Sequence, residues 1–441
     1  MSGCGLAKKA EVGAWAENAE AGPLRLGWVR GRVRLGANPM LRSLPLPVIS
    51  RRKTLFGLLA LLAAPAFSED FPAVANAGYD AWVMRFRARA LKRGIGAKVL
   101  DAAFRHAGFL PGVIEKDRSQ AEAIYGMEDY LAITASGERV AAGRKVLSSK
   151  AKLLGQVEAR YGVEARVVAA IWGVESFYGT KRGNIPVISA LSTLAYEGRR
   201  SAFFEGQLMA ALKILAHGDV APDQMTGGWA GAMGHTQFIP TTYLSYAVDF
   251  NGDGKRDLWS DDPGDALASA AHYLASAGWV KGQPWGLEVQ VTKAAAKANG
   301  KVKTVAEWRK LGVVLGSGAP VPDHGKARLV TSSGPGFLLF HNGLVLGAYN
   351  SSTRYIVGVG HLSDRIAGQG DLVGGFPPDS NGLTQADRVF LQQRLTRIGY
   401  DPGSTDGVFG PKTAAAIAGF QASRGLKATG AASPELLGLL R

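Results

Sequence analysis

From residue 71 to about residue 216, apolar positions recur at three- and four-residue spacing, interrupted at Gly94, Gly108, Gly162 and Gly183. This period predicts a succession of amphipathic helices. Between about residues 285 and 347 the pattern shortens to runs such as LEVQVTK, ARLVTSS and GFLLFHNGLVLG, bounded by glycine and serine. Such runs predict short strands, hence a small β-containing subdomain. Residues 367–382, AGQGDLVGGFPPDSNG, have no period and are rich in glycine, proline and small polar residues, which reads as a linker. Beyond them lie two helical patterns, QADRVFLQQRLTRIG and PKTAAAIAGFQASRG, joined by YDPGSTDGVFG. The expectation is a mainly α chain: a leader over 1–66, a helical domain with a small β part over 67–366, a linker over 367–382 and a helical module over 383–441.

With 441 residues, 46% of them apolar, the chain has enough material for two or three separate cores. Its net charge of +15 is unevenly spread: ten basic and three acidic side chains fall in residues 1–66, which leaves 41 basic and 33 acidic for the rest. The charge alone therefore argues little for nucleic acid, and no nucleic-acid module accompanies it. The single cysteine, Cys4, excludes an internal disulfide and a cysteine-rich zinc site.

Arg51-Arg52-Lys53, the apolar run from Leu55 to Ala64 and then Ala64-Pro65-Ala66 follow the order of a cleavable export signal. The apolar run is too short to span a bilayer. SRRKTL is similar to a twin-arginine signal, so either the general secretory or the twin-arginine route is expected. About fifty residues precede this signal, which makes Met40 an alternative start. Cys4 lies far upstream of the apolar run, so no lipid anchor is expected.

The segment VVAAIWGVESFYGT carries the most chemistry. On a helix Val168, Ile171, Trp172 and Glu175 fall on one apolar face. Taking a carboxyl group out of water disfavours its charged form, so such a glutamate keeps a proton that it can give to a leaving oxygen. The same spacing also fits a carboxylate paired with Arg199 or Arg200 at a helix end. In AGAMGHTQFIPTTY the glycines suit either close approach to a ligand or tight packing, and Gln237 can both donate and accept. DFNGDGKRD places oxygen-bearing residues at Asp249, Asn251, Asp253 and Asp257, with the Lys255 carbonyl and with Gly254 at the sixth position. That order opens an EF-hand calcium loop, although Ser260 stands at the twelfth position where a glutamate is expected. A metal-free turn is the alternative.

AIWGVESFYGTKRGNIPVISALSTLAYEGRRSAFF, followed by GWAGAMGHTQFIPTTYLSYAVDFNGDGKRDLW, resembles the membrane-bound lytic transglycosylase B family over about residues 71–362. The resemblance implies a lysozyme-like helical catalytic domain with Glu175 as sole catalytic acid. It also implies substrate contacts at Gln237, Tyr273, Tyr349, Asn350 and Tyr355, although tyrosines at such places also serve as half-buried core. Calcium ligands are implied at Asp249, Asn251, Asp253, Lys255 and Asp265, with Asp261 and Asp262 as alternative closing ligands. No cofactor is expected for catalysis. The family often has a serine where Gly228 stands here, so a hydroxyl near the acid is missing.

The implied reaction cuts peptidoglycan between N-acetylmuramic acid and N-acetylglucosamine. The muramic acid 6-hydroxyl is the nucleophile and a 1,6-anhydro end the product. One carboxylate suffices for it, whereas ordinary glycosidases place two across the bond. The C-terminal segment, with DGVFGPKT and a later FQ, resembles a type-one peptidoglycan-binding domain, which would hold the enzyme at its polymer. Its leucines, Phe409 and Phe420 read as core. The expected setting is the periplasm, with glycan strands as partner, no nucleic acid and no membrane span. The positive charge outside the leader suits an anionic wall. A muramidase using water and a non-catalytic wall-binding protein are the competing readings.

Overall fold

The computed structural model describes residues 71–119 and 125–441. Cys4, Met40 and the export signal over 51–66 lie outside them. Among the described residues no helix is long and apolar enough to cross a membrane.

The helix Ala165–Ser176 is the hub of the first core, and every residue from Val167 to Ser176 is buried. It packs against Gly137–Ser149, Ala151–Tyr161, Gly264–Ser276 and Thr353–Ile366. The apolar face read from the sequence is thus one part of a helix that is buried on all sides, as a helix apolar all round must be. A second core forms where Val187–Glu197 packs on Ser201–His217, with Leu191, Leu194, Leu208 and Leu212 almost fully buried. Gly198 joins the two helices at φ 102°, in the left-handed region that glycine enters without strain.

The β part is a five-stranded antiparallel sheet. Its strands run in the order Val302–Thr304, Lys326–Val330, Gly336–Leu339, Gly286–Gln290, Val314–Leu315. Gly286 pairs with Leu339 and Val289 with Gly336. Trp308, Leu329, Leu338 and Phe340 fill a core of its own beneath this sheet. One expectation is corrected here. GFLLFHNGLVLG does not continue as strand: pairing stops at Leu339 and His341–Tyr349 is a helix. Its Val345 and Leu346 are buried at adjacent positions on one side, and period alone does not separate a short apolar strand from a short buried helix.

Residues 367–382 carry no regular secondary structure, yet they are fastened rather than free. The backbone N–H groups of Val373 and Gly374 donate to the Glu288 carboxylate at 2.8 and 2.5 Å. The Phe376 ring lies against Gly334, and Arg365 pairs with Asp371. A glycine- and proline-rich composition marked this stretch as a linker because it shows no helix or strand, and it says nothing of such long-range fastenings.

The C-terminal module has three helices, Gln385–Arg397, Pro411–Ser423 and Pro434–Leu440, around Leu391, Leu395, Ile417, Phe420 and Leu437. The third was not set apart in the sequence, although Ser433 caps it by accepting from Leu436 N at 3.2 Å and Pro434 opens its first turn. Arg388 joins this module to the helical domain. Its buried guanidinium donates to Glu128 at 2.7 Å and Asp129 at 3.2 Å, both in the helix Met127–Thr134, and to Asp379 at 3.2 Å.

Candidate active site

Glu175 is the penultimate residue of its helix, and the chain turns sharply just after it. Phe177 and Tyr178 both adopt left-handed backbone, at φ 48° and 57°. Non-glycine residues held there store about 1–3 kcal/mol each and persist only where the surroundings enforce them. The enforcement is visible. The Tyr178 hydroxyl donates to the Arg139 carbonyl at 2.9 Å, and Ser176 Oγ donates to the His235 carbonyl at 2.6 Å while accepting from Gly179 N at 3.0 Å. A side chain at Gly179 would place its Cβ 2.4 Å from His235 Nδ1, so the turn closes only with glycine there.

His235 holds the Glu175 helix to the loop that follows it in the fold. Its Nδ1 lies 3.1 Å from Trp172 Nε1, which can only donate, so Nδ1 accepts and Nε2 carries the proton to the Ser260 carbonyl 2.7 Å away. Burial holds the ring's pKa below its ordinary value, which keeps it neutral. Arg182 adds two further bonds, to the Trp259 and Ser260 carbonyls, each at 2.8 Å.

The Glu175 side chain is 7% exposed. Burial is the larger influence and raises its pKa to about 8, against the smaller opposing effect of the Tyr355 hydroxyl, which donates to Oε1 at 2.7 Å. A carboxyl group in this position keeps its proton at neutral pH. The alternative of an ion pair with Arg199 or Arg200 is overturned. Both arginines are on Asp117, with Arg199 Nε at 3.0 Å, and no charged partner reaches Glu175 among the described residues.

Gln237 also has left-handed backbone, at φ 51°. Its Nε2 donates to the carbonyls of Gly234 at 2.7 Å and Arg182 at 3.0 Å, which commits both amide hydrogens and leaves the amide oxygen as the group available to a ligand. Gly234 serves packing rather than ligand approach, because the Leu258 carbonyl would lie 2.0 Å from a Cβ placed there.

The tyrosines form a support behind the acid. Tyr355 is fully buried and its ring stacks on Tyr349, with centroids 6.2 Å apart and planes 10° from parallel. Tyr349 donates to the Thr236 carbonyl at 2.5 Å, Tyr273 to the Ala348 carbonyl at 2.6 Å, and Asn350 Oδ1 accepts from Ser352 N at 2.9 Å. The hydroxyls of Tyr273, Tyr349 and Tyr355, and the Asn350 amide oxygen, thus each have a partner within the protein. Phe177, Arg139, Arg182 and His235 were not singled out in the sequence. No local signal marks a phenylalanine that will turn left-handed, and the others act through partners distant along the chain.

Glu175, Phe177 and Gln237 open onto a cleft of about 1750 Å³ whose wall includes Gly228 and Trp229. The cleft continues past Phe376 to Val389 and Thr413 of the C-terminal module.

In the loop after residue 248, Asp249 accepts from Gly252 N at 2.7 Å and Gly254 N at 2.8 Å, and Asp253 accepts from Lys255 N at 2.9 Å. Asn251 accepts from Asp253 N at 3.0 Å. Asp265, buried at the start of the next helix, returns to this loop and takes the N–H groups of Phe250 and Asp257, each at 2.8 Å. Asp261 points instead to Arg182 at 2.9 Å, and Asp262 to Gly264 N at 3.0 Å. Among the described residues no three His, Cys, Asp or Glu side chains already converge as a metal cage.

Residues 78–364 match the Transglycosylase SLT domain family, and residues 384–440 match a peptidoglycan binding domain. The chain is 34% identical over 220 residues to the membrane-bound lytic murein transglycosylase B of Escherichia coli (strain K12). That alignment takes in 47% of this chain and 58% of the relative, so it spans less than two thirds of the relative's length. Among solved structures, SltB3 from Pseudomonas aeruginosa in complex with NAG-anhNAM-pentapeptide is similar at 45% identity and a TM-score of 0.67, over 83% of this chain and 100% of that one. The Escherichia coli lytic transglycosylase Slt35 in complex with calcium is similar at 27% identity and a TM-score of 0.57, over 66% of this chain and 93% of that one. With well over half of its length matched, the chain belongs to the transglycosylase SLT domain family.

Proposed function

We propose that this protein is a lytic transglycosylase that cleaves the bond between N-acetylmuramic acid and N-acetylglucosamine in peptidoglycan and leaves 1,6-anhydro ends, with Glu175 as its one acid and base. The observation that carries the reading is a buried carboxyl group in a cleft wall, with a pKa of about 8 and, among the described residues, a single hydroxyl as its side-chain partner. Protonated Glu175 gives its proton to the glycosidic oxygen as the bond to the anomeric carbon breaks. The resulting carboxylate, steadied by the Tyr355 hydroxyl, takes the proton of the muramic acid 6-hydroxyl as that oxygen bonds to the anomeric carbon. Acid and base are one group at two moments, so the second carboxylate of an ordinary glycosidase has no task here.

The amide oxygen of Gln237 accepts from a sugar hydroxyl in this reading, and the C-terminal module holds the enzyme on the polymer. The order of charged, apolar and small residues over 51–66 supports export to the wall compartment. Digesting purified sacculi with the wild type and with Glu175→Gln, and weighing the products, tests the proposal. Anhydro products one water lighter than those of a hydrolase support it. Reducing-end products, or equal activity of the two proteins, sink it.

A structural calcium ion belongs to the same reading. Asp249, Asn251, Asp253, the Lys255 carbonyl and Asp265 are all hard oxygen donors, in the order that a calcium loop uses. Burial raises the Asp265 pKa and the nearby Asp249 carboxylate adds to it, a penalty that a cation between them would relieve. The ion's part is to fix this loop. Thermal unfolding with calcium, with magnesium and with chelator checks it: calcium raises the melting temperature, and Asp265→Asn removes that response.

A further inference from the structure

Arg139 leaves an imbalance of charge in the cleft wall beside the acid. It is the third residue of the helix Gly137–Ser149, whose first residues line the cleft. Only 3% of Arg139 is exposed, and its guanidinium lies 5.1 Å from the centre of the Phe177 ring. One amino group donates to the Ile133 carbonyl at 2.7 Å, while the buried Nε has no hydrogen-bond partner among the described residues. The Lys181 ammonium lies 5.2 Å from the centre of the same ring. Glu138, the neighbouring acid, is exposed; its charge favours the charged form of both cations, but it is not a direct hydrogen-bonded partner of either among the described residues. Burial lowers the pKa of both, and Arg139 lowers that of Lys181 further.

Burying a cation without a direct ion-pair partner costs several kcal/mol. One such group, Arg139, with the half-exposed Lys181 ammonium set against the same ring in a ligand cleft, points to an anion that arrives with the ligand. We infer that Arg139 and Lys181, both set against Phe177, form a carboxylate-binding subsite next to the scissile bond. The inference rests on the proposed substrate, whose muramic acid carries carboxylates in its stem peptide or, where the peptide has been removed, a free lactyl carboxylate. Phe177 follows Glu175 by two residues, so a carboxylate held there fixes the muramic acid relative to the acid. The helix N-terminus at Gly137 adds its partial positive charge to the same wall.

The test is calorimetric titration of full-length Glu175→Gln, with and without Lys181→Gln. The three ligands are a disaccharide-peptide, the same compound with its carboxylates converted to amides, and a peptide-free disaccharide with a free lactyl carboxylate. Lys181 is half-exposed, so its substitution leaves the core intact. The expected result is about tenfold tighter binding of a carboxylate ligand than of the amidated one, a preference that Lys181→Gln abolishes while binding of the amidated ligand is unchanged. Preference for the disaccharide-peptide identifies the stem carboxylate, and preference for the peptide-free compound identifies the lactyl one. An undiminished preference after Lys181→Gln, or no preference in the parent, overturns the subsite. Sacculus cleavage by Glu175→Gln would instead overturn the proposed reaction, and it is read separately as released product.

Discussion

The Tyr355 hydroxyl and the Glu175 carboxyl, 180 residues apart in the chain, meet at 2.7 Å, with no charged group among the described residues as a second partner to the acid. Burial and this hydrogen bond act in opposite directions. Burial keeps the proton on, and the hydroxyl favours the anion that remains once the proton has left. Tyr355→Phe keeps the ring that stacks on Tyr349 and removes only the hydroxyl. Losing a hydrogen bond to a charged group is worth about 1.5–3 kcal/mol, so kcat falls roughly 10- to 100-fold with little change in KM. The Glu175 pKa rises further without the donor, so the alkaline limb of the pH-rate profile moves to higher pH. An unchanged limb would mean that the hydroxyl does not act on the acid.

Glu175→Gln trades activity for stability, with a pH dependence of known sign. In the unfolded chain Glu175 ionises near its ordinary value of 4.5, whereas in the fold it holds its proton to about pH 8. Between those values the folded state binds more protons, so stability falls as pH rises, and above about pH 8 the full penalty of a buried anion remains. The amide escapes that penalty. At pH 5 the variant and the wild type should unfold at similar denaturant concentrations, and by pH 8 the variant should be more stable by on the order of 3 kcal/mol. Urea titrations across this range measure the gap, and a gap that does not widen with pH contradicts the burial argument.

Gln237 separates strain from function. Its backbone at φ 51° favours glycine, and its side chain makes two bonds to the carbonyls of Gly234 and Arg182. Gln237→Gly relieves about 1 kcal/mol of backbone strain and forfeits bonds of comparable net worth. Stability should therefore shift by less than about 1 kcal/mol, while KM for glycan strands rises because the amide oxygen is gone. Thermal unfolding beside steady-state kinetics checks both halves. A large loss of stability with an unchanged KM would make Gln237 a packing residue only.

The placement of Glu175 was legible because one strong period spans Val168 to Glu175 and a carboxylate within it is conspicuous. What surrounds it was not. Tyr355 was read as a substrate contact from its position in the family motif, and only the packing of Thr353–Ile366 on the Glu175 helix turns its hydroxyl to the acid. The left-handed turn at Phe177 and Tyr178 leaves no local trace either, since the His235 carbonyl holds Ser176 from 59 residues away and the Arg139 carbonyl holds Tyr178 from 39. The helix His341–Tyr349 was taken as strand because its apolar run is short and glycine-broken, conditions under which the two periods converge. The outline of the helical domain, the sheet region and the C-terminal module needed only local pattern, and that survived.

Arg388 carries the last prediction, because its guanidinium ties three segments of the chain together. Its side chain is 5% exposed and it faces Glu128, Asp129 and Asp379, while its Nε donates to the Gly407 carbonyl at 2.7 Å. Burial, together with the Glu128 and Asp379 carboxylates, raises the Asp129 pKa, against the opposing pull of Arg388. Removing the arginine leaves three carboxylates crowded without a cation, a change that costs about 3–5 kcal/mol where such a pair is buried. Arg388→Ala should free the C-terminal module from the helix Met127–Thr134 and expose residues 367–382 to proteases that spare the wild type. Arg388→Lys keeps the charge but not the forked geometry, so its cleavage rate should fall between the two. Limited proteolysis followed by mass spectrometry reads the cut sites, and equal resistance of all three proteins would show that the module is held by contacts other than this arginine.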